Sequence, residues 1–381
     1  MDMAPDPALK PAKGNLLPIL SGQTQDARWA ALADAAAEPN AFYAPDMFRA
    51  ALDHLDESKS VRLIEVFDGI LLIGLLPVMV TTRHGRLPMA TVANWMHAHC
   101  FLGTPMIRSG REQDAWAGFL RQLDCADWAP HFLHLRGLDA AGANAAALEA
   151  VCVTQGRPFR EIGRYDRALL RSDLSAEAYW DANVRPKKRK EIRRLQKRLA
   201  DLGAVESRML TDAVDLSHWC SEFLALESSG WKGRQKTALS CASHDAAFFR
   251  AATAAAMANG NLEFLRIDLD DRAIAMLVNF RHLDGAFSFK IAIDEELGRF
   301  SPGVLIEIDN LRAVQTSSAI SWMDSCAAPD HAMIDSLWGE RRSIAQYRVA
   351  LRGSGVQRAH RAAAFTMANA LERFTAFIKG R

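Results

Sequence analysis

The regular alternation of apolar and polar positions in residues 286–293 predicts a strand. In a strand, four apolar side chains would share one face: Phe287, Phe289, Ile291 and Ile293. Lys290 then lies on the opposite face, at mid-strand among apolar neighbours, where a lone cation is costly unless a wet or charged cavity lies beside it. A Ser-Pro-Gly step follows, with apolar residues at helical spacing after it. A helix is therefore predicted to begin there, with Ser301 as its N-cap.

The order of elements that leads into this strand also occurs about 200 residues earlier. Apolar runs at 61–67 and 70–80 flank an Asp-Gly turn, and runs at 262–267 and 273–280 flank a similar one, so two hairpins are predicted. Further strands are predicted at 89–101, 131–135, 319–323 and 344–349. Helices are predicted at 28–37, 46–56, 113–124, 140–151, 186–202, 212–228, 245–258, 331–338 and 359–377. The repeated order predicts an α/β protein made of two related halves.

The predicted division of the chain follows from this repeat and from its length of 381 residues, which exceeds one ordinary domain. Residues 1–25, rich in Pro, Ala and Gly, are expected to form a flexible leader. A first lobe is expected at 26–160, a second at 161–355, and a C-terminal helix at 356–381.

Composition indicates a globular protein of the cytoplasm. Hydrophobic residues make up 49% and charged residues 24% of the chain, and the net charge of +1 identifies no partner. The six cysteines include no CxxC pair, which is typical of free thiols in a reducing compartment. The most apolar run, residues 70–80, is too short to span a bilayer, and no signal-peptide pattern is found.

The segment 185–198 carries nine basic residues and one acidic residue. Its apolar positions form a narrow stripe, so the predicted helix docks on one face and leaves its other faces charged. The charges either only aid solubility or bind an anion such as tRNA, a phosphorylated carrier, an anionic polymer or lipid head groups. The candidate substrate- or anion-binding residues are Lys187, Lys188, Arg189 and Arg193, together with the later Trp231.

A second candidate anion site is the predicted helix start after the 286–293 strand. Backbone N–H groups in a first helical turn lack intrahelical acceptors, and they attract anions such as phosphate. The residues expected to form this site are Arg299, Ser301, Gly303 and Val304.

Three residues are candidates for catalysis, each with an ordinary alternative. Lys290 either stabilises negative charge in the reaction or reaches out to solvent. Glu227, beside Trp231, either accepts a proton or pairs with Lys232 or Arg234 at the end of its helix. Asp324 either accepts a proton or caps the next turn. The His97-x-His99 pair lacks an identifiable third metal ligand, so no metal is expected.

Several motifs in this order resemble one family: RPKKRKEIRRLQKRLADLG, FLALESSGWKG, FSFKIAID, FSPGVLIEIDNL, MDSC, HAMIDSLW and RRSI. They resemble the CelD-type GNAT acetyltransferase-like proteins, which accompany bacterial cellulose and exopolysaccharide genes and are related to the FemAB transferases. The resemblance covers about residues 40–350. It implies two tandem GNAT-like lobes, each a mixed central sheet flanked by helices. It also implies an acyl-CoA co-substrate, whose pantetheine arm would enter between the strands that end near Lys290 and Asp324.

The usual GNAT loop, Gln/Arg-x-x-Gly-x-Gly/Ala, is altered here to Arg299-Phe300-Ser301-Pro302-Gly303-Val304. Pro302 removes one N–H donor from the expected pyrophosphate site. In the first half, residues 101–107 have no comparable helix start, so the first lobe is expected to be structural or to shape the substrate site.

The favoured hypothesis is an acyltransferase that moves an acyl group from acyl-CoA to an amine or hydroxyl of a sugar or cell-envelope acceptor. One alternative is aminoacyl transfer from tRNA, as in the FemAB branch, with the basic helix contacting the tRNA. Another is a GNAT fold without activity that acts as a binding or scaffold protein.

Overall fold

The computed structural model describes residues 25–84 and 88–379, with side chains described as far as residue 372. The leader predicted at residues 1–25 lies outside this range except for Gln25, the first residue of a helix. Its flexibility therefore stays a prediction.

The described residues form one mixed sheet of twelve strands. The strands are β1 (Arg62–Asp68), β2 (Leu71–Thr81), β3 (Thr91–Asn94), β4 (Met106–Ile107), β5 (Phe132–Asp139), β6 (Phe159–Leu170), β7 (Val205–Met209), β8 (Leu262–Leu269), β9 (Arg272–His282), β10 (Gly285–Ile293), β11 (Trp322–Asp324) and β12 (Glu340–Ala350). Their order across the sheet is β1-β2-β3-β5-β12-β6-β11-β10-β9-β8-β7, and β4 pairs separately with β2.

The predicted repeat of strand order is present. In the first half, β1, β2 and β3 are antiparallel neighbours, and β3 then pairs in parallel with β5. In the second half, β8, β9 and β10 are antiparallel neighbours, and β10 then pairs in parallel with β11. A helix connects the two parallel strands in each half, as a parallel crossover requires. The prediction of two related halves, each with a mixed sheet and flanking helices, is confirmed.

Helices cover both faces of the sheet. They are α1 (Gln25–Ala33), α2 (Pro45–His54), α3 (Glu112–Cys125), α4 (Ala143–Thr154), α5 (Ala176–Asn183), α6 (Pro186–Ala200), α7 (Leu216–Ser229), α8 (Trp231–Arg234), α9 (Ser243–Ala258), α10 (Pro302–Thr316) and α11 (Gly355–Lys379). In the second half, α7 and α9 pack on one face of the sheet, and α6 and α10 pack on the other. None of the helices in the described part of the chain has the length and apolar character that a membrane crossing requires.

The two halves exchange strands at the centre of the sheet. β12, from the end of the second half, lies between β5 of the first half and β6, which spans the predicted boundary; β6 also pairs with β11. β6 begins at Phe159, next to the boundary predicted between residues 160 and 161. The sequence did not predict β6, because charged residues recur through its first eight positions and only its last four residues are buried.

Other differences from the predicted elements are local. The helix predicted at 331–338 is a 3-10 turn, Ile334–Ser336, and the strand predicted at 89–101 is β3 alone. The sequence did not predict α5 or β7; all five residues of β7, an edge strand, are exposed. An exposed edge strand lacks the apolar side chains on which a pattern-based prediction depends.

One hydrophobic cluster joins the two halves where they face each other. The ring of Phe101, from the first half, lies 6.0 Å from that of Phe289 on β10. Phe42 lies 5.7 Å from Phe287, also on β10. Aromatic contacts of this kind contribute about 0.5–1.5 kcal/mol each beyond simple burial, so they fix the two halves against each other along β10.

Candidate active site

The central strand of the predicted site, β10, separates from its parallel neighbour after three residue pairs. Gly285 pairs with Trp322, Ala286 with Met323 and Phe287 with Asp324, where β11 ends. β10 continues to Ile293 and stays paired with β9 on its other side. From residue 288 onwards, the β11 side of β10 has no strand partner in the described part of the chain. The edge therefore carries backbone groups that can bond to a ligand.

A β-bulge on β10 overturns the predicted sharing of faces. The register with β9 shifts between Ser288 and Lys290, so the alternation of side chains changes phase there. Phe287 and Phe289 pack toward α7 and α9, whereas Ile291 and Ile293 pack toward α6 and α10. The single apolar face predicted for these four residues is therefore wrong, because period-two alternation holds only in a strand without a bulge.

Glu227 and Lys232 lie beside the open edge of β10. Lys232 Nζ donates to Glu227 Oε1 and to the backbone oxygen of Ile291, both at 3.0 Å. The other oxygen of Glu227 accepts from the Leu239 N–H at 2.8 Å. The carboxylate of Glu227 is thus buried and bonded on both oxygens. The pairing with Lys232 that the sequence left as an alternative is present.

Lys290 lies in the same region without a bonded partner. Among the described residues, its ammonium makes no hydrogen bond or ion pair, and its Nζ lies 5.6 Å from the centre of the Phe289 ring. Burial lowers the pKa of Lys290. The negative charges of Glu227 and Asp245 oppose this decrease, and the positive charge of Lys232 adds to it.

Sequence reasoning missed one functional candidate, the pair of His99 and Asp245. His99 Nε2 lies 2.9 Å from Asp245 Oδ1, at the start of α9. Since a carboxylate only accepts, Nε2 carries the proton, and the buried Nδ1 has no partner in the described part of the chain. Burial and the charge of Lys290 lower the pKa of His99, while Asp245 and Glu227 oppose that. The HxH pattern drew attention to His99 only as a metal ligand.

The surroundings of Asp324 do not suit the role of a base. Its side chain is fully buried and accepts from Arg167 at 2.6 Å and from Arg342 at 2.9 Å. The Cys326 N–H also donates to it, at 2.9 Å, as in the capping role left as an alternative. Burial raises the pKa of Asp324, but the two guanidinium groups outweigh it and leave the pKa below its usual value. A carboxylate held in this way joins β11 to β6 and β12 and is a poor proton acceptor.

The predicted anion site lies in the turn between β10 and α10. A 3-10 turn, Glu295–Phe300, leads into Ser301, which occupies the N-cap position in a left-handed conformation with φ of 55°. The side chain of Ser301 makes no capping bond; its carbonyl accepts from the Val304 N–H at 2.9 Å. A Cβ on Gly303 would lie 3.5 Å from Ile293 and Met333, which is ordinary contact distance, so the turn is not tightly closed at this residue.

The basic helix and this turn lie next to each other. The guanidinium of Arg198, in α6, lies 5.8 Å from the centre of the Phe300 ring, and that of Arg299 lies 4.8 Å from the same ring. Both arginines are exposed, and neither has an ion-pair partner in the described part of the chain. Two unpaired cations thus flank the start of α10, about 100 residues apart in sequence. This is an electropositive surface suited to phosphate groups.

The other predicted anion-binding residues have different surroundings. Lys188 donates to Ser336, and Arg189 pairs with Asp181. Lys187 and Arg193 are exposed. Trp231 is half exposed. Its backbone N–H donates to the Glu295 side chain at 2.5 Å, so the residue lies against the turn before α10.

Two cavities lie elsewhere, on both sides of α10. One of about 220 Å³ is lined by residues of α5, α6 and α10, including Trp180, Arg193 and Arg312. One of about 210 Å³ is lined by residues of β7, β8 and α10. Neither contains the titratable residues beside β10. Within the described residues, no group of three or more His, Cys, Asp or Glu side chains is placed to hold a metal ion.

The corresponding opening in the first half is filled by the chain itself. β3 and β5 pair in parallel at only two positions, and the segment after β3 bonds across the gap between them. The Gly103 N–H donates to the Gly137 carbonyl at 2.7 Å, and Asn94 Nδ2 donates to the carbonyls of Gly103 and Arg136. The same segment presents His99 to the second half.

The segment that contains this site matches a known family of domains. Residues 186–331 match the family model described as an acetyltransferase (GNAT) domain. The chain has a tandem GNAT-like fold. The matched segment of that fold contains α6, the open edge of β10, and the turn before α10. No protein among the curated sequences is similar enough to count as a match.

Solved structures agree with this fold. The crystal structure of FemX is 9% identical, with a TM-score of 0.55 over 86% of this chain and 96% of that one. A conserved protein of unknown function from Bacteroides thetaiotaomicron VPI-5482 is 12% identical, with a TM-score of 0.53 over 85% and 95% of the two chains. The C-terminal domain of a protein named as a lysylphosphatidylglycerol synthetase of Agrobacterium fabrum is 12% identical, with a TM-score of 0.51 over 91% and 96%. At such low identity these likenesses show the fold alone.

Proposed function

We propose that the protein is an acyltransferase that moves an acyl group from acyl-CoA to an amine or hydroxyl. The observation that carries this proposal is the open edge of β10 leading to the start of α10, inside the segment that matches the GNAT model. The edge offers backbone groups to the amides of a pantetheine arm. The helix start, with Arg299 and Arg198 beside it, offers positive charge to the pyrophosphate.

The residues beside β10 fit direct transfer of the acyl group from acyl-CoA to the acceptor. The acceptor nitrogen or oxygen attacks the thioester carbonyl, a bond to the acyl carbon forms, and the carbon–sulfur bond breaks to release the CoA thiolate. The acceptor must also lose a proton. His99 is our first candidate for the base, because Asp245 holds its Nε2 proton and no described residue occupies its Nδ1 lone pair.

Glu227, one of the two bases that the sequence suggested, is our second candidate for that role. Both of its oxygens are already bonded, one to Lys232 and one to the Leu239 N–H. Taking a proton would weaken its ion pair with Lys232. These two bonds support a positioning role, in which Glu227 holds Lys232 against the carbonyl of Ile291.

The resemblance to CelD-type proteins extends the proposal to the acceptor, a sugar or another precursor of the cell envelope or exopolysaccharide. The cysteine pattern supports a site of action in the cytoplasm. Neither extension rests on the geometry of the site.

A second candidate function is transfer from aminoacyl-tRNA. The exposed basic face of α6 favours it, since Lys187, Lys190 and Lys197 are all exposed and have no recorded acidic partner in the described part of the chain. Binding of tRNA that decreases steeply with salt, together with no binding of CoA, would favour this function over the first.

Calorimetric titration of acetyl-CoA tests the first function. Wild-type protein should bind acetyl-CoA saturably. A double variant with Arg299→Ala and Arg198→Ala should bind it roughly tenfold or more weakly, because each substitution removes a charged contact to phosphate. Arg358→Ala, which changes an exposed arginine on α11, is the matched control and should bind as wild type does. If millimolar acetyl-CoA does not bind wild-type protein, the acyl-CoA function is wrong, and transfer from aminoacyl-tRNA or a binding or scaffold role becomes the alternative.

A further inference from the structure

Lys290 is a largely buried cation in a group of otherwise paired charges. Glu227 is bonded to Lys232 and to a backbone N–H, and Asp245 is bonded to His99. Neither carboxylate has a hydrogen bond or ion pair to Lys290, although both act on its pKa. The group therefore contains two carboxylates and two ammonium groups, and among the described residues only the Lys290 ammonium has no bonded partner.

A partly buried ammonium without a hydrogen-bonded or charged partner is less well solvated than one in water, so an anionic ligand group beside it would be favourable. The Phe289 ring, 5.6 Å from Nζ, offers a cation–π contact but no neutralising charge. Lys290 follows the bulge of β10 directly, next to the open edge along which the proposed acyl-CoA would lie. It is also half-buried rather than fully enclosed, so a ligand group can reach it.

We propose that Lys290 binds a carboxylate or phosphate group carried by one of the two substrates. This inference rests on the proposed acyl transfer at the same site and adds the chemical class of substrate. The anionic group has two possible sources. It belongs either to the acceptor, as in a sugar phosphate, or to the acyl chain, as in the CoA ester of a dicarboxylic acid.

Two calorimetric titrations distinguish these sources. For the acyl chain, succinyl-CoA and acetyl-CoA are titrated separately, since only succinyl-CoA carries a terminal carboxylate. For the acceptor, inorganic phosphate is titrated into protein already saturated with CoA, so that the turn before α10 is occupied. Each titration uses wild type, Lys290→Met, Lys290→Arg and, as a matched control, Lys236→Met, which changes an exposed lysine after α8.

We expect one of the two titrations to depend on Lys290. Either succinyl-CoA binds wild type about tenfold more tightly than acetyl-CoA, or phosphate binds to CoA-saturated protein; Lys290→Met abolishes the effect and Lys290→Arg largely restores it. Lys236→Met should behave as wild type. If Lys290→Met remains folded by thermal melting and changes neither titration, the inference is overturned.

Failure of the proposed function gives a different result. If neither CoA ester binds, phosphate is titrated into free Arg299→Ala protein, in which the other anion site is weakened. Phosphate binding that still requires Lys290 would then leave an anion site at Lys290 and rule out its use in acyl-CoA transfer. Phosphate binding that does not require Lys290 would overturn both the proposed function and the inference about Lys290.

Discussion

His99 Nε2, in the first half of the chain, lies 2.9 Å from Asp245 Oδ1, in the second half. The two residues are separated by 146 positions in sequence. The ring of His99 stacks on Phe248, 5.7 Å away and nearly parallel to it, so its orientation is fixed by α9 on two sides. The proposed site is therefore completed by a segment of the first half, although the first half's own opening is filled.

We predict that His99→Gln reduces kcat for acyl transfer about 100-fold or more with little change in KM for acyl-CoA. Gln can still donate to Asp245 but cannot take the acceptor's proton, and general-base catalysis commonly contributes about 10²–10⁴-fold. Steady-state kinetics measure this, with His218→Gln, a change at an exposed histidine, as control. If Glu227→Gln lowers kcat and His99→Gln does not, the base is Glu227.

Asp324→Asn should destabilise the protein by about 3–5 kcal/mol, because it leaves Arg167 and Arg342 buried with their shared counter-charge removed. Urea unfolding followed by tryptophan fluorescence measures the change. Asp53→Asn, at an exposed position on α2, should change stability by no more than about 0.5 kcal/mol. Equal effects of the two substitutions would contradict a structural role for Asp324.

Since the folded-state pKa of Asp324 is below its usual value, its ion pairs stabilise the protein above the unfolded-state pKa of about 3.9. That stability is lost as the pH falls through the lower, folded-state pKa. The difference in unfolding free energy between wild type and Asp324→Asn should therefore shrink on acidification below about pH 4. If the difference in unfolding free energy stays constant down to the pH of acid unfolding, the charge of Asp324 is not its cause.

Glu307, on the buried side of α10, should make stability depend on pH in the opposite direction. Burial raises its pKa to about 7, although a hydrogen bond from Asn310 at 3.1 Å opposes this increase. The folded state then holds a proton that the unfolded state releases near pH 4.5. Stability due to this residue is complete below that pH and decreases as the pH rises through about 7.

We expect Glu307→Gln to remove this decrease, since Gln stays neutral. Wild type and variant should differ in unfolding free energy more at pH 8 than at pH 5, with the variant relatively more stable at pH 8. Urea unfolding at the two pH values tests this. A constant difference would indicate that Glu307 does not change its protonation on unfolding in that range.

Gly103→Ala should destabilise the first half. A Cβ at this position would lie 2.1 Å from the backbone oxygen of Arg136 and 2.3 Å from Asn94 Nδ2, so the segment between β3 and β5 must shift. Overpacking of this kind costs about 1–3 kcal/mol. Gly298→Ala is the control, because a Cβ there meets nothing within 4 Å. Thermal unfolding midpoints should fall for Gly103→Ala only.

Local patterns were enough to predict the two hairpins, β10, the start of α10 and the basic helix. In each of these segments, residues close together in the sequence determine the backbone conformation. An Asp-Gly turn closes the first hairpin, and Pro302 suits the first position of a helix. The resemblance of the motifs added the tandem GNAT-like fold. The position of Ser301 at the N-cap was predicted, but its left-handed conformation was not.

The tertiary structure alone decided which side chains meet. The bulge on β10 places Phe289 and Ile291 on opposite faces of the sheet. Strand exchange brings Arg167 on β6 and Arg342 on β12 to Asp324. These outcomes depend on strand order and register, whereas periodicity in a sequence reports only which way a side chain points within its own element. The pairing of His99 with Asp245 depends in addition on how the two halves pack together. The sequence thus determined the parts of the candidate site, and the packing of distant segments determined their arrangement.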